Sequence, residues 1–210
     1  GDVPARRSSA PRCREPAMTP APALVVAGCS AGGLRALHIL LAGLAADFPA
    51  PLIAVCHTGS EDVSVLCELL ARSSALPVLE AAERTRPLPG HVYIAPSGYH
   101  LLVGEDGRFA LSVDPRVGFA RPSIDVLFES AAVAHGDRVA GVVMTGANSD
   151  GALGLQRIRE RGGLAVVQHP DDAEVDLMPA AALAQAGADY CVPLVDIAPL
   201  LNRLVHAPRR

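Results

Sequence analysis

The sequence predicts an α/β fold: a doubly wound, mostly parallel sheet with an antiparallel β-hairpin insertion, a Rossmann-like three-layer sandwich. Three observations predict it. Short, continuously apolar runs recur along the chain, as in Leu24–Ala27, Leu52–Cys56 and Val139–Met144, and strands buried on both faces read that way. Between them lie segments with apolar residues at helical spacing, such as Leu34, Leu37, Leu41 and Leu44. Breaks rich in Gly and Pro separate the two kinds of segment. Strands that alternate with helices build a parallel sheet covered on both faces.

The elements follow in order. Leu24–Ala27 is a buried strand and the leucines from Leu34 to Leu44 mark the helix after it. Leu52–Cys56 is the second strand. Ser60 is positioned to cap the next helix, with Glu61 and Asp62 in its first turn and Val63, Leu66 and Leu70 on its core face. Pro77–Leu79 is a third strand. The region 87–114 reads differently. Pro89-Gly90 makes a turn, His91–Ala95 alternates, and Leu101–Val103 and Phe109–Val113 flank the loop Gly104–Gly107, so an antiparallel insertion is expected there. The α/β pattern then resumes. Ser123 caps a helix to about Ala134, Val139–Met144 is a strand, and Ala152–Glu160 is a helix closed by Gly162-Gly163. Leu164–Val167 and Tyr190–Val192 are strands, and Pro179–Ala186 and Ile197–Val205 are helices.

Residues 1–20 are rich in Pro, Ser and Arg without periodicity, and read as a disordered leader or a cloning remnant. Residues 21–208 read as one domain. Of the 210 residues 50% are hydrophobic and 3% aromatic, so the core must be built from Ala, Val, Leu and Ile. A net charge of −4 excludes a generally basic nucleic-acid binder, and no nucleic-acid partner is expected. The five cysteines are odd in number and none forms a CxxC pair, which favours a reducing, cytoplasmic location over a disulfide framework. The apolar stretch Ala21–Ala46 carries Arg35, His38 and several glycines. A strand followed by a helix explains it better than a membrane span, and no membrane insertion is expected.

Open α/β sheets place their ligands at the carboxyl ends of the strands. Three such ends carry unusual polar residues. Ser30, in Gly28-Cys29-Ser30-Ala31-Gly32-Gly33, stands where a strand turns into a helix. Small neighbours permit a tight turn there, and the N–H groups of a helix N-terminus suit a developing oxyanion. The same glycines would also serve a phosphate loop or plain packing. His57 ends the second strand, where it can act as a general base or merely hydrogen-bond the loop. Asp150, in Thr145-Gly146-Ala147-Asn148-Ser149-Asp150-Gly151, can cap the following helix or orient an imidazole. Together the three supply a nucleophile, a base and an orienting acid on one sheet edge. Cys29 is a rival nucleophile, read as packing. His91 and His100 lack acidic or Cys companions at ligand spacing, so no metal is expected.

These motifs, with Gly90-His91-Val92-Tyr93-Ile94-Ala95-Pro96, Arg121-Pro122-Ser123-Ile124-Asp125-Val126-Leu127-Phe128 and Met178-Pro179-Ala180-Ala181-Ala182, make the chain resemble the catalytic domain of CheB-type chemotaxis protein-glutamate methylesterases over about residues 22–205. The resemblance implies that 21–208 is a methylesterase catalytic domain with Ser30 as nucleophile, His57 as base and Asp150 as acid. Ala31 and Ala147 would lend backbone N–H groups to the oxyanion, and Arg121 would bind substrate or form an ion pair ahead of its helix. The implied reaction is hydrolysis of glutamate methyl esters, and of glutamine amides in related members, without a cofactor. The implied partners are methyl-accepting chemoreceptor signalling helices, with a separate receiver protein as the candidate regulator, because about 20 residues before the first strand are too few for a receiver domain. A catalytically silent partner-binding module of the same fold is the alternative. Where the family often carries Thr, this chain has Ala31, which keeps a backbone but not a side-chain contribution to the oxyanion hole, and where Met is common it has Ala147, which implies a more open site wall.

Overall fold

A computed structural model of the chain describes residues 20–57 and 62–206. The expected leader, but for Pro20, and the expected cap Ser60 with Glu61 lie outside the described residues. Among the described residues nine strands and six α-helices follow in chain order: β1 Leu24–Cys29, α1 Gly33–Ala42, β2 Leu52–Cys56, α2 Val63–Ala71, β3 Val78–Glu80, β4 Val92–Ile94, β5 His100–Val103 and β6 Phe109–Ser112. Then come α3 Ile124–His135, β7 Val139–Val143, α4 Ala152–Glu160, β8 Leu164–Gln168, α5 Leu177–Gln185, β9 Tyr190–Val192 and α6 Leu194–Val205.

Seven strands form one parallel sheet in the order β3-β4-β2-β1-β7-β8-β9, and β5 and β6 pair separately as an antiparallel hairpin. The expected doubly wound sandwich is therefore present. The antiparallel insertion is smaller than the sequence suggested. The run His91–Ala95 does not join it; β4 lies between β3 and β2, parallel to both. Its three residues are all buried, as a strand with neighbours on both sides requires.

Alternate residues of β1 divide the core. Val25, Ala27 and Cys29 pack with α1, α2 and α6 on one face. Leu24 and Val26 pack with α3, α4, α5 and the hairpin on the other. Each face removes many Val, Leu and Ile side chains from water, at about 1.5–3 kcal/mol for each fully buried one. In α1 the buried side chains are Ala36, Leu37, Leu40 and Leu41, beside the buried Gly33, whereas Leu34 at its start is 48% exposed. The α2 helix begins later than Ser60 would place it. Asp62 is its N-cap, its carboxylate accepting from the Ser64 N–H at 2.9 Å.

Glycines mark where backbones must touch. A Cβ on Gly28 would collide with Ile124 Cγ2, and one on Gly146 would lie 3.0 Å from Ser30 Cβ and 2.6 Å from Met178 Sδ. The first lets α3 sit on β1, and the second lets the loop after β7 lie against Ser30. Among the described residues no helix is long and apolar enough to cross a membrane.

The α3–α4 contact gives a test of this packing. A Cβ on Gly154 would lie 2.6 Å from Phe128 Cβ and 2.9 Å from the backbone Cα of Asp125. Gly154→Ala should therefore lower the unfolding free energy in urea melts by about 1 kcal/mol or more through overpacking, despite alanine's better helix propensity. An unchanged or raised midpoint would mean that the two helices part freely.

Candidate active site

The site lies where β1 stands between β2 and β7, the point at which the chain changes the face it winds on. Ser30 follows β1 and is half-buried. Its N–H donates to the Thr145 carbonyl at 2.9 Å, and its carbonyl accepts from the Gly33 N–H at 2.7 Å. The left-handed Gly32, at φ 76°, turns the chain into α1. His57 follows β2, its N–H donating to the Cys29 carbonyl at 3.0 Å. Ser30, His57 and Asn148 line one cleft of about 360 Å³, and the loop 116–122 forms its far wall.

Asp150 is 1% exposed, and its Oδ2 lies 3.0 Å from Nε2 of His57, itself 16% exposed. Nε2 nevertheless has no aligned hydrogen-bond partner. The pair is thus a close electrostatic contact whose N–H is not aimed along it, as is common before a substrate tightens a catalytic pair. Nδ1 of the ring lies 3.4 Å from the Asn148 amide nitrogen. Asn148 can only donate there, which favours the tautomer with its proton on Nε2, toward Asp150, and a lone pair on Nδ1. The Ser30 hydroxyl makes no hydrogen bond to His57 among the described residues.

Asp150 does not cap the helix that follows it. Its Oδ2 accepts from the Ile124 N–H at 2.7 Å, and its Oδ1 from the Asp125 N–H at 2.9 Å and the Ser123 hydroxyl at 2.8 Å. It therefore sits on the N-terminus of α3. The N-terminus of α4 is served in turn by Asp125, whose Oδ1 accepts from the N–H groups of Gly151 at 2.9 Å and Gly154 at 2.7 Å. The two helices exchange acidic caps. Burial pushes the Asp150 carboxyl up, but the His57 contact and the hydrogen bonds from Asp125, Ile124 and Ser123 outweigh it and hold it below the usual range. Burial, partly offset by the Gly154 N–H and reinforced by the charge of Asp150, pushes Asp125 up to about 6.

The N–H groups of Ala31 and Ala147 have no hydrogen-bond partner among the described residues, and both residues are exposed. Their loops are pinned together. The Thr145 hydroxyl donates to the Ala31 carbonyl at 2.9 Å, and the Thr145 N–H donates to the Gln168 side-chain oxygen at 2.9 Å. Arg121 forms no ion pair among the described residues. Its Nη1 donates to the carbonyls of Val113 at 2.7 Å and Asp114 at 3.1 Å, which leaves its buried Nε unpartnered beside the cleft. Cys29 is fully buried. A hydrogen bond with Cys56, and then burial, push its thiol up, so it stays protonated and faces the core. His100 is buried and structural, bonding the Pro115 carbonyl and the Ser123 N–H. Among the described residues no group of three potential ligands could hold a metal.

Sequence reasoning did not single out Asn148 or Asp125. Both stood inside motifs already noted, but nothing local says that Asn148 faces His57 or that Asp125 reaches another helix.

The chain is similar to known proteins in sequence and in fold. The family model described as CheB methylesterase matches residues 25–201. A Leptospira interrogans protein, whose name provisionally assigns it protein-glutamate methylesterase/protein-glutamine glutaminase activity, is 44% identical over 180 residues, covering 86% of this chain and 93% of its own. A protein-glutamate methylesterase/protein-glutamine glutaminase of Geobacter metallireducens is 41% identical over 194 residues, covering 91% of this chain but 55% of its own. The crystal structure of the Thermotoga maritima CheB methylesterase catalytic domain superposes with a TM-score of 0.84 at 31% identity, covering 88% of this chain and 99% of that one.

The exchanged caps have a titration signature. Folding raises Asp125 from an ordinary value of ~4 to about 6. Between those pH values the native state binds more protons than the unfolded chain, so the stability due to this group falls as pH rises through the window. Asp125→Asn keeps an acceptor for both N–H groups and removes the charge. Its stability relative to wild type should rise from pH 4 to pH 7 in denaturant melts. A difference that stays flat across that range sinks the assignment.

Proposed function

The chain belongs to the CheB methylesterase family, and from that premise we propose that it hydrolyses γ-methyl esters of glutamate on chemoreceptor signalling helices through Ser30, His57 and Asp150. The observation that carries this reading is the buried Asp150 carboxylate 3.0 Å from His57, a residue that lines the same cleft as Ser30. A carboxylate so placed favours an imidazole protonated on the nitrogen nearest it and supports the cation that forms when the ring takes a second proton.

The chemistry is acyl transfer in two halves. Ser30 Oγ attacks the ester carbonyl while the His57 imidazole accepts the hydroxyl proton. The carbonyl oxygen gains negative charge, which the unengaged N–H groups of Ala31 and Ala147 stabilise as donors. His57 then returns the proton to the departing methanol, leaving an acyl ester on Ser30. Water, deprotonated by the same ring, releases the glutamate carboxylate. A glutamine side chain follows the same route with ammonia as the leaving group, the second activity in the relatives' names. No step requires a cofactor. Chemoreceptor signalling domains lie on the cytoplasmic side of the membrane, so this reading places the chain there. The free Nε–H of Arg121 is a donor suited to the product carboxylate.

Ser30→Ala should abolish fluorophosphonate labelling and methanol release from methylated receptor fragments, while Cys29→Ala leaves both near wild type. Absence of labelling in the wild-type chain would instead mark a silent binding module. A folded Asp150→Asn variant should lose turnover by up to ~10⁴-fold. It should also lose stability, because the amide cannot satisfy the α3 N-terminus as a carboxylate does, and circular dichroism together with denaturant melts separates the two effects. Near-normal turnover would reduce Asp150 to a helix cap.

A further inference from the structure

The segment between β6 and α3 ends in a protruding turn. The Val117 N–H donates to the Ala120 carbonyl at 3.1 Å, and the Ala120 N–H to the Val117 carbonyl at 2.9 Å. The two central residues, Gly118 at φ 54° and Phe119 at φ 67°, are both left-handed, the pattern of a type I′ turn. Such turns favour glycine at the second central position because a side chain there strains the backbone. Here that position holds phenylalanine, a bulky residue for which positive φ is a true outlier. Its ring is 96% exposed, so packing within the fold does not offset the strain. Strain kept without internal compensation points to function.

The turn is held firmly at its base. Arg121 bonds the carbonyls of Val113 and Asp114, and His100 Nε2 bonds the Pro115 carbonyl at 3.1 Å. Arg116 braces the tip, its Nη1 3.4 Å from the Phe119 carbonyl. Arg116, Phe119 and Arg121 line the cleft that Ser30 and His57 line. An apolar ring and an exposed guanidinium thus stand together at the mouth of the site, on a chain whose net charge is −4.

We propose that Phe119 and Arg116 form the grip for the protein substrate: an acidic surface that presents an apolar side chain beside the esterified glutamate. The ring packs on that apolar side chain and is desolvated when the complex forms. Arg116 supplies the local positive charge that an acidic partner needs to approach a negative chain. The proposal rests on the esterase reading given above, and it assigns substrate selection to the turn and chemistry to the strand ends.

The test compares two substrates on the purified chain: a methylated receptor signalling-helix fragment, followed by methanol release, and p-nitrophenyl acetate, too small to span the site. Phe119→Gly is the informative variant, because glycine relieves the turn. Its melting temperature should be unchanged or higher. Its kcat/KM for the receptor fragment should fall at least about 10-fold further than its kcat/KM for the small ester, carried mainly by KM. Arg116→Ala should show the same selectivity and flatten the salt dependence of receptor turnover. Equal losses on both substrates, no loss on either, or a lower melting temperature in Phe119→Gly would each overturn the grip. A wild-type chain that cleaves the small ester but releases no methanol from receptor fragments would overturn the receptor reading and the grip with it. Demethylation at the wild-type rate by Phe119→Gly would overturn the grip alone.

Discussion

The Asp150 carboxylate, buried at the N-terminus of α3, is the interaction on which the rest of the site depends. A charge 1% exposed to water is costly unless other groups replace its hydration. Two backbone N–H groups and the Ser123 hydroxyl do so here, aided by the positive end of the helix dipole. These donors, together with the His57 contact, hold the carboxylate ionised. The imidazole finds the remaining face of Oδ2 directed at it. This arrangement explains why the acid sits on a loop yet needs no flexibility: three of its contacts come from one helix terminus.

The same terminus fixes the loop that carries the acid. Asp125, the second residue of α3, holds the Gly151 and Gly154 N–H groups that open α4. Thus α3 begins on a carboxylate from the segment approaching α4, and α4 on one from the first turn of α3, and neither can move without exposing the other's first turn. Gly28 lets Ile124 reach β1, and Gly146 lets the loop after β7 reach Ser30. Side chains at either position would push apart the elements that meet at the cleft. The polar exchange and the glycine contacts do the same work from two directions.

Much of this was legible in the sequence because it is local. Buried parallel strands read as apolar runs, and β1, β2, β7 and β8 were found where those runs fall. Ser30, His57 and Asp150 were visible as polar residues at strand ends. What escaped was the choice of partner. Asp150 precedes α4 in sequence, so a local rule assigns it to α4, but tertiary contact gives it to α3. His91–Ala95 alternates like a strand of the antiparallel insertion, yet its place between β3 and β2 depends on pairings remote in sequence. Gly118 alone carries the usual turn chemistry, so the left-handed Phe119 beside it emerges only from the geometry of the loop around it.

Two carboxylates at one helix terminus also divide the electrostatic roles. Both are largely buried and close enough to repel, and two such groups cannot both ionise freely. Their surroundings separate them. Asp150 receives the denser set of donors and is held ionised, whereas Asp125, with more burial than compensation, is pushed up to about 6. Environments that drive paired acids apart are a recurrent way for one site to keep a permanent anion. The repulsion is placed on the residue whose task is structural. Asp125 can take a proton near neutrality and still accept hydrogen bonds from α4. The titratable tolerance therefore falls on Asp125, and a fixed negative charge is left beside His57.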